Sequence, residues 1–381
     1  MGLKNIANGI WHFIKNETVL SVAVILAVIS SFFITPDIKY LNYIDFRTIG
    51  LLFCLMTVMA GLQKTGVFSF MAENLLKKIH STKSLIFILV MLCFFFSMLI
   101  TNDVALITFV PFTFTVLDML GGDIKNQTII PVVAMQTVAA NLGSMLTPIG
   151  NPQNLYLHGI SGLGVGEFML LMLPYTVISF VLLSAWALLR KGKGGVKIDF
   201  NDKTRIKNKG KVVIHSALFC VCLLTVAHAL DYRIMLLVVI ATTAAADYRI
   251  FARVDYTLLL TFIAFFVFIG NMGRIPIFSN YINSIINGRE CITGILSSQL
   301  ISNVPAALLL SGFTDNIRPL IVGVNIGGLG TLIASMASLI SFKYIGRENK
   351  SVRGRYLLYF TAVNVIFSCC FAYCILCDIE L

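Results

Sequence analysis

The chain has 381 residues, of which 57% are hydrophobic and only 12% charged, and its mean hydropathy is +0.88. A soluble domain carries about 25% charged residues, so a soluble globular protein is excluded and an all-α polytopic membrane protein is expected. The net charge of +11 does not require nucleic acid as a partner, because basic residues collect in the cytoplasmic loops of membrane proteins.

In chain order, the opening "MGLKNIANGIWHFIKNETVL" lacks an apolar run followed by a small-residue cleavage site. The first span, Thr18–Ile34, is therefore expected to be retained, with Trp11 and Phe13 near the interface. Further on, the polar triplet Thr101-Asn102-Asp103 separates two apolar arms, Ser84–Ile100 and Val104–Leu117. Each arm is short for a crossing if the triplet stays out of lipid, so a re-entrant hairpin with its tip at mid-depth is predicted. Pro111 should bend the second arm.

The stretch "ANLGSMLTPIGNPQN", ending at Asn154, predicts a broken transmembrane helix. Thr128–Ala140 forms one half-helix, stopped by Asn141 and Gly143. Thr147-Pro148 and Gly150-Asn151-Pro152 hold an extended turn, and a second half-helix starts near Pro152. The basic run Arg190–Lys211 reads as a polar cytoplasmic linker facing the anionic leaflet. One more span, Ile214–Leu230, follows it. The last, Tyr356–Leu376, carries Cys369, Cys370 and Cys374 with Cys377 just beyond. Cys370, Cys374 and Cys377 share a helix face, which allows either a soft-metal site or plain packing; with no His or carboxylate beside them within the span, packing is preferred.

The chain repeats itself. "SMLITNDVALI" (Ser97–Ile107) aligns with "SQLISNVPAAL" (Ser298–Leu308) at an offset of 201, setting Thr101, Asn102 and Asp103 on Ser302, Asn303 and Val304. At an offset of 184, Asn141 falls on Asn325, Gly143 on Gly327, Thr147 on Thr331, Asn151 on Ser335 and Asn154 on Ser338. Upstream, "IDFRTIGLL" (Ile44–Leu52) resembles "VDYTLLLTF" (Val254–Phe262). Ordered agreement at polar positions indicates a duplication, a mark of secondary transporters. Residues 1–189 then form the first repeat with its N-terminal span, 190–230 the basic linker and an unmatched span, and 231–381 a second repeat. The single unmatched span starts the second repeat from the opposite side, so the repeats are inverted. On this topology only Lys39, Arg47, Arg233, Arg274, Arg289 and Arg318, six of the 29 basic residues, fall on one side. The crowded side is cytoplasmic, which puts the N-terminus inside and the C-terminus outside an inner or plasma membrane.

Irregular backbone at membrane depth survives only inside protein or beside water. A helix break exposes carbonyls that can coordinate Na+ and amide groups that attract anions. The candidate solute and ion site is therefore Thr101, Asn102, Asp103, Asn141, Gly143, Thr147, Pro148, Asn151, Asn154, Ser302, Asn303, Asn325, Gly327 and Thr331. Asp103 has two readings. It either caps the second hairpin arm or supplies the charge for a coupled ion.

"TNDVALITFVPF" followed by "ANLGSMLTPIGNPQN" resembles the ion transporter superfamily: arsenical-pump permeases, D-type sodium–proton antiporters, and citrate and divalent-anion:sodium symporters. The resemblance covers Phe46–Leu189 and Val254–Leu376. It implies an elevator-type fold, usually a homodimer, in which paired hairpin tips bind sodium and substrate. The matching positions here are Thr101, Asn102, Ser302 and Asn303, with the broken-helix positions following by the same match. The sequence departs from the symporters, which have Thr at the third tip residue where this chain has Asp103 and Val304. Two equivalent sodium sites are therefore not expected, and Na+ at the hairpin tips is the one metal ion the resemblance brings.

The expected function is secondary transport of a small anion or oxyanion-like solute, such as citrate or arsenite, coupled to Na+ or H+, with no other cofactor. A sodium–proton antiporter is the alternative, with Asp103 as its titratable group. An intramembrane enzyme is remote. The five histidines form no HExxH, GxSxG is absent, and "GLQKTG" lacks the phosphate-loop spacing.

Overall fold

The computed structural model describes residues 17–77, 79–190, 206, 208–348 and 350–376. Trp11, Phe13, Cys377 and most of the basic linker lie outside them. The described residues form helices and no strands. In the first half these are α1 (Thr18–Phe33), α2 (Lys39–Tyr43), α3 (Phe46–Thr65), α4 (Val67–Leu76), α5 (Thr82–Ile100), α6 (Asn102–Asp118), α7 (Gly122–Ser144), α8 (Pro152–Ser161) and α9 (Val165–Leu189). Helix α10 (Lys209–Val226) follows. Then come α11 (Tyr232–Asp247), a 3-10 turn Tyr248–Arg253, α12 (Tyr256–Gly273), α13 (Pro276–Ile286), α14 (Glu290–Ile301), α15 (Asn303–Ser311), α16 (Ile317–Ile326), α17 (Met336–Glu348) and α18 (Arg353–Leu376).

Among the described residues seven helices are long and apolar enough to cross a membrane. Around α9, α10, α11 and α18 a third or less of the apolar window is buried. Leu170, Leu237 and Leu358 stand exposed on them. Such surface is tolerable only against lipid, and the protein is an integral multi-pass membrane protein.

The packing pairs off between the halves. Helix α5 lies along both α6 and α7, as α14 lies along α15 and α16. Helix α1 packs on α12, and α11 packs on α3. Across the halves, α6 meets α17 and α15 meets α8. The same capping recurs: Asp45 accepts from Thr48 N–H and Asp255 from Leu258 N–H, both at 3.0 Å, holding the first turns of α3 and α12. Helix α10, which the sequence left unmatched, packs on α3 and α11.

Two expectations change. The arms of the first hairpin are 19 and 17 residues long, and at about 1.5 Å per residue the first nearly matches the hydrocarbon thickness. The corresponding helices of the second half are shorter, 12 and 9 residues. Nor do Asn141 and Gly143 stop α7, which continues to Ser144. The Asn141 side chain has tertiary partners and does not compete for its own backbone. Gly143 serves close packing, since a Cβ there would stand 2.0 Å from the Phe94 carbonyl oxygen and 2.5 Å from Ser97 Oγ. Its counterpart Gly327 packs on Ser298 in the same way.

Candidate functional site

The hairpin tips turn without glycine. Thr101 has φ 68° and ψ 149°, and Ser302 has φ 74° and ψ 154°. Side chains rarely occupy this region, and holding one there costs about 1–3 kcal/mol. Among the described residues only His228 shares a positive φ without being glycine. Each strained turn delivers the next amide to a helix break: Asn102 N–H donates to Gly150 O at 3.1 Å, and Asn303 N–H to Ala334 O at 2.9 Å. These two bonds correspond under the offsets of 201 and 184. So do the hydroxyls that fasten the breaks to the hairpins: Thr147 Oγ1 donates to Met98 O at 2.5 Å and Thr331 Oγ1 to Gln299 O at 3.1 Å.

Replacing Thr101 by Gly should relieve the turn and leave folded stability equal or higher, because glycine populates this region freely. Transport should nevertheless fall if the hydroxyl serves the site. Thermal unfolding measured beside uptake checks this, and normal uptake would remove Thr101 from the site.

Between the tips lies a buried amide network. Asn141 Oδ1 accepts from Asn102 Nδ2 at 3.1 Å and from Ser335 Oγ at 3.0 Å. Asn325 Oδ1 accepts from Asn151 Nδ2 at 3.2 Å, and Asn325 Nδ2 donates to Asn154 Oδ1 at 2.6 Å. Asn151, the cap of α8, thus bonds the asparagine of the other half, and so does Ser335, the residue before α17. Asn154 Nδ2 faces three carbonyls at the end of α7, those of Ser144, Met145 and Thr147, at 3.2–3.4 Å. In the second half Gln299 Nε2 donates to Gly327 O and Leu329 O, both at 2.8 Å.

A cavity of about 180 Å³ adjoins the first tip. Thr101, Asp103, Asn151, Gln63, Arg253 and Asp255 bring its polar groups. Asp103 does not cap α6: the helix has no side-chain cap bond, and Asp103 N–H is taken by Asn102 Oδ1 at 3.0 Å. Its buried Oδ1 has no hydrogen-bond partner. A buried carboxylate oxygen without a partner is costly, which makes Asp103 a candidate functional group.

Of the candidate residues, Asn102, Asn141, Asn151, Asn154 and Asn325 meet in one network, and Thr101 and Asp103 line the cavity with Asn151. Ser302 and Asn303 are buried at the second tip. Thr147, Gly143, Gly327 and Thr331 fasten or pack the breaks, and Pro148 is buried in the first break. Gln299, Gln63, Arg253 and Asp255 were not singled out from sequence. Gln299 carried a readable signal, being polar where the aligned arm has Met98. His158 is packed edge-on against Phe168, 5.8 Å from it between ring centroids, and its buried Nε2 has no hydrogen-bond partner. No group of three metal-ligating side chains occurs among the described residues; the cysteine face is only partly among them.

A profile of the citrate transporter family matches residues 10–340. The chain belongs to this family. Similar proteins include an uncharacterized transporter of Methanocaldococcus jannaschii, 34% identical over 89% of this chain and 91% of the relative. The inner membrane protein YbiR of Escherichia coli is 30% identical over 79% and 80%. The silicon efflux transporter LSI3 of rice is 31% identical over 37% of this chain and 28% of its own length. As a member of the citrate transporter family the protein is a membrane transporter and not an enzyme.

Proposed function

We propose that the protein is a secondary transporter of a small anion, an oxyanion or a carboxylate of the citrate type, coupled to H+ through Asp103. The observation that carries this is the unpartnered Asp103 oxygen in the cavity at the first hairpin tip. With Asp103 and Asp255 ionised against Arg253, the cavity is net negative and repels an anion. Asp255 is engaged as the cap of α12. A proton on Asp103 neutralises the cavity, so anion and proton enter together. Sodium would have to share the carbonyls at the breaks. The carbonyls that would coordinate it at the breaks accept amide protons from Asn154 and Gln299.

In this reading the halves are inverted repeats, with 1–189 and 231–381 as units joined by 190–230. The N-terminus is cytoplasmic, the C-terminus is outside, and the copies act as a homodimer. The hairpins and broken helices move as an elevator against α3 and α12. The cavity supports this, because α3 forms one wall while the hairpin tip and α8 form another.

Purified protein in liposomes should accumulate one of citrate, succinate, sulfate, phosphate or arsenite under an imposed pH gradient and not under a Na+ gradient. Proton movement driven by Na+ alone, without a solute, would establish the antiporter instead.

A further inference from the structure

Two ion pairs occupy related places at the ends of α3 and α12. Lys64 Nζ meets Asp247 Oδ2 at 2.7 Å, and Arg274 Nη1 meets Asp37 Oδ2 at 3.0 Å. A shift of 210 residues carries Lys64 to Arg274 and Asp37 to Asp247, the same shift that relates Asp45 to Asp255. Each pair joins one half to the other. The pair of Asp37 and Arg274 is one-to-one, completed by Tyr43, whose hydroxyl lies 3.0 Å from Arg274 Nη1. At the Lys64 end the unmatched helix α10 adds Lys211, whose Nζ also meets Asp247 Oδ2 at 2.9 Å. Arg253, without an ion pair among the described residues, stands beside them.

These groups line a recess of about 490 Å³ together with Gln63, Asn208 and His215. Lys64 and Lys211 face Asp247 there, an excess of one positive charge, and Arg253, which also faces Asp103 and Asp255, stands at the junction of the two spaces. His215 is fully buried, its Nδ1 donates to Lys211 O at 2.7 Å, and its Nε2 has no partner. Gln63 and Arg253 line both this recess and the cavity of Asp103, so the two spaces adjoin.

We propose that this recess is a holding site for a small multivalent anion, an oxyanion or carboxylate passing between the aqueous phase and the cavity at the first hairpin tip; the proposal rests on the anion reading above. A structural ion pair needs one cation for Asp247, as the other end shows. The further cation Lys211, Arg253 at the junction and the open volume are the elements of an anion site. Arg253 reaches both spaces and hands the anion inward. Asp247 holds Lys64 and Lys211 together while lowering their pull, which lets the anion leave.

The test is binding of labelled citrate, sulfate and phosphate to the full-length protein in nanodiscs of zwitterionic lipid. Lys211→Gln and Arg253→Gln should each raise the Kd of the anion that binds best by about tenfold, the worth of one charge-assisted contact. Arg253→Lys should restore part of the loss. Asp247→Asn should tighten binding, whereas a purely structural ion pair would lose thermal stability and gain no affinity. Thermal unfolding of each variant separates misfolding from lost contacts. Unchanged Kd in both Gln variants, with wild-type binding intact, would overturn the recess while sparing the anion reading. Failure of the wild type to bind any of the three anions would overturn the holding site, while the anion reading itself is decided by the liposome uptake. Loss of binding when anionic lipid is added would assign the recess to a lipid headgroup and also overturn the proposal.

Discussion

Asp103→Asn is expected to abolish accumulation driven by a pH gradient while leaving folded yield and solute exchange near normal. The side chains are almost the same shape. Asn is permanently neutral, as the protonated Asp would be, so the cavity remains open to an anion. What it loses is the ability to take up a proton with the anion and release it on the other side. Wild-type uptake should fall as pH rises on the loading side, because ionised Asp103 repels the solute. The variant should lose that dependence. Capping does not confound the experiment, since Asp103 makes no cap bond in α6. Loss of the unpartnered Oδ1 charge is offset by loss of the acidic residue in the first turn of α6, so only a small change in thermal stability is expected. Measurements of net uptake and counterflow across pH decide the matter, and a variant with the wild-type pH profile would eliminate Asp103 as the coupling group.

Asn325→Ala should be the most damaging change in the amide network. It removes the acceptor for Asn151 Nδ2 and the donor to Asn154 Oδ1, both buried. Asn151 Nδ2 keeps Ser144 Oγ at 3.3 Å, but Asn154 Oδ1 loses its donor, and leaving a buried polar group unpaired costs about 1–3 kcal/mol. A loss of several degrees in thermal unfolding and of most transport is expected. The bonds cross between the halves, so the damage should not stay local. A double-mutant cycle with Asn154→Ala should show a coupling energy of about 1 kcal/mol or more. Strict additivity would mean that the two side chains do not act together.

Much of the site was legible because the chain states it twice. The pairs Thr101 with Ser302 and Asn102 with Asn303 share a strained turn and the same amide bond to a helix break, as their alignment required. Gly143 was also visible as a special position, but for the wrong reason. Read along the chain, a glycine and an asparagine near a turn end a helix. In the fold, α7 is enclosed by α5, α6 and α17, the glycine admits a neighbouring carbonyl, and Asn141 finds its partners outside its own backbone. Local propensity was overridden by burial.

The sequence by itself determined the class of the protein, the polar tips and breaks, and the pairing between halves, because hydropathy and internal similarity are properties of the string. Only the tertiary structure decided which groups face one another. Asn151 and Asn325 are 174 positions apart, and no periodicity brings them together. The same is true of Gln63, Arg253 and Asp255, which lie outside the hairpins and breaks yet form the cavity wall with Asp103. The role of Asp103 depends on that wall. Whether a carboxylate caps a helix or stands unpartnered beside an opening is set by the atoms around it, and those come from helices distant in sequence.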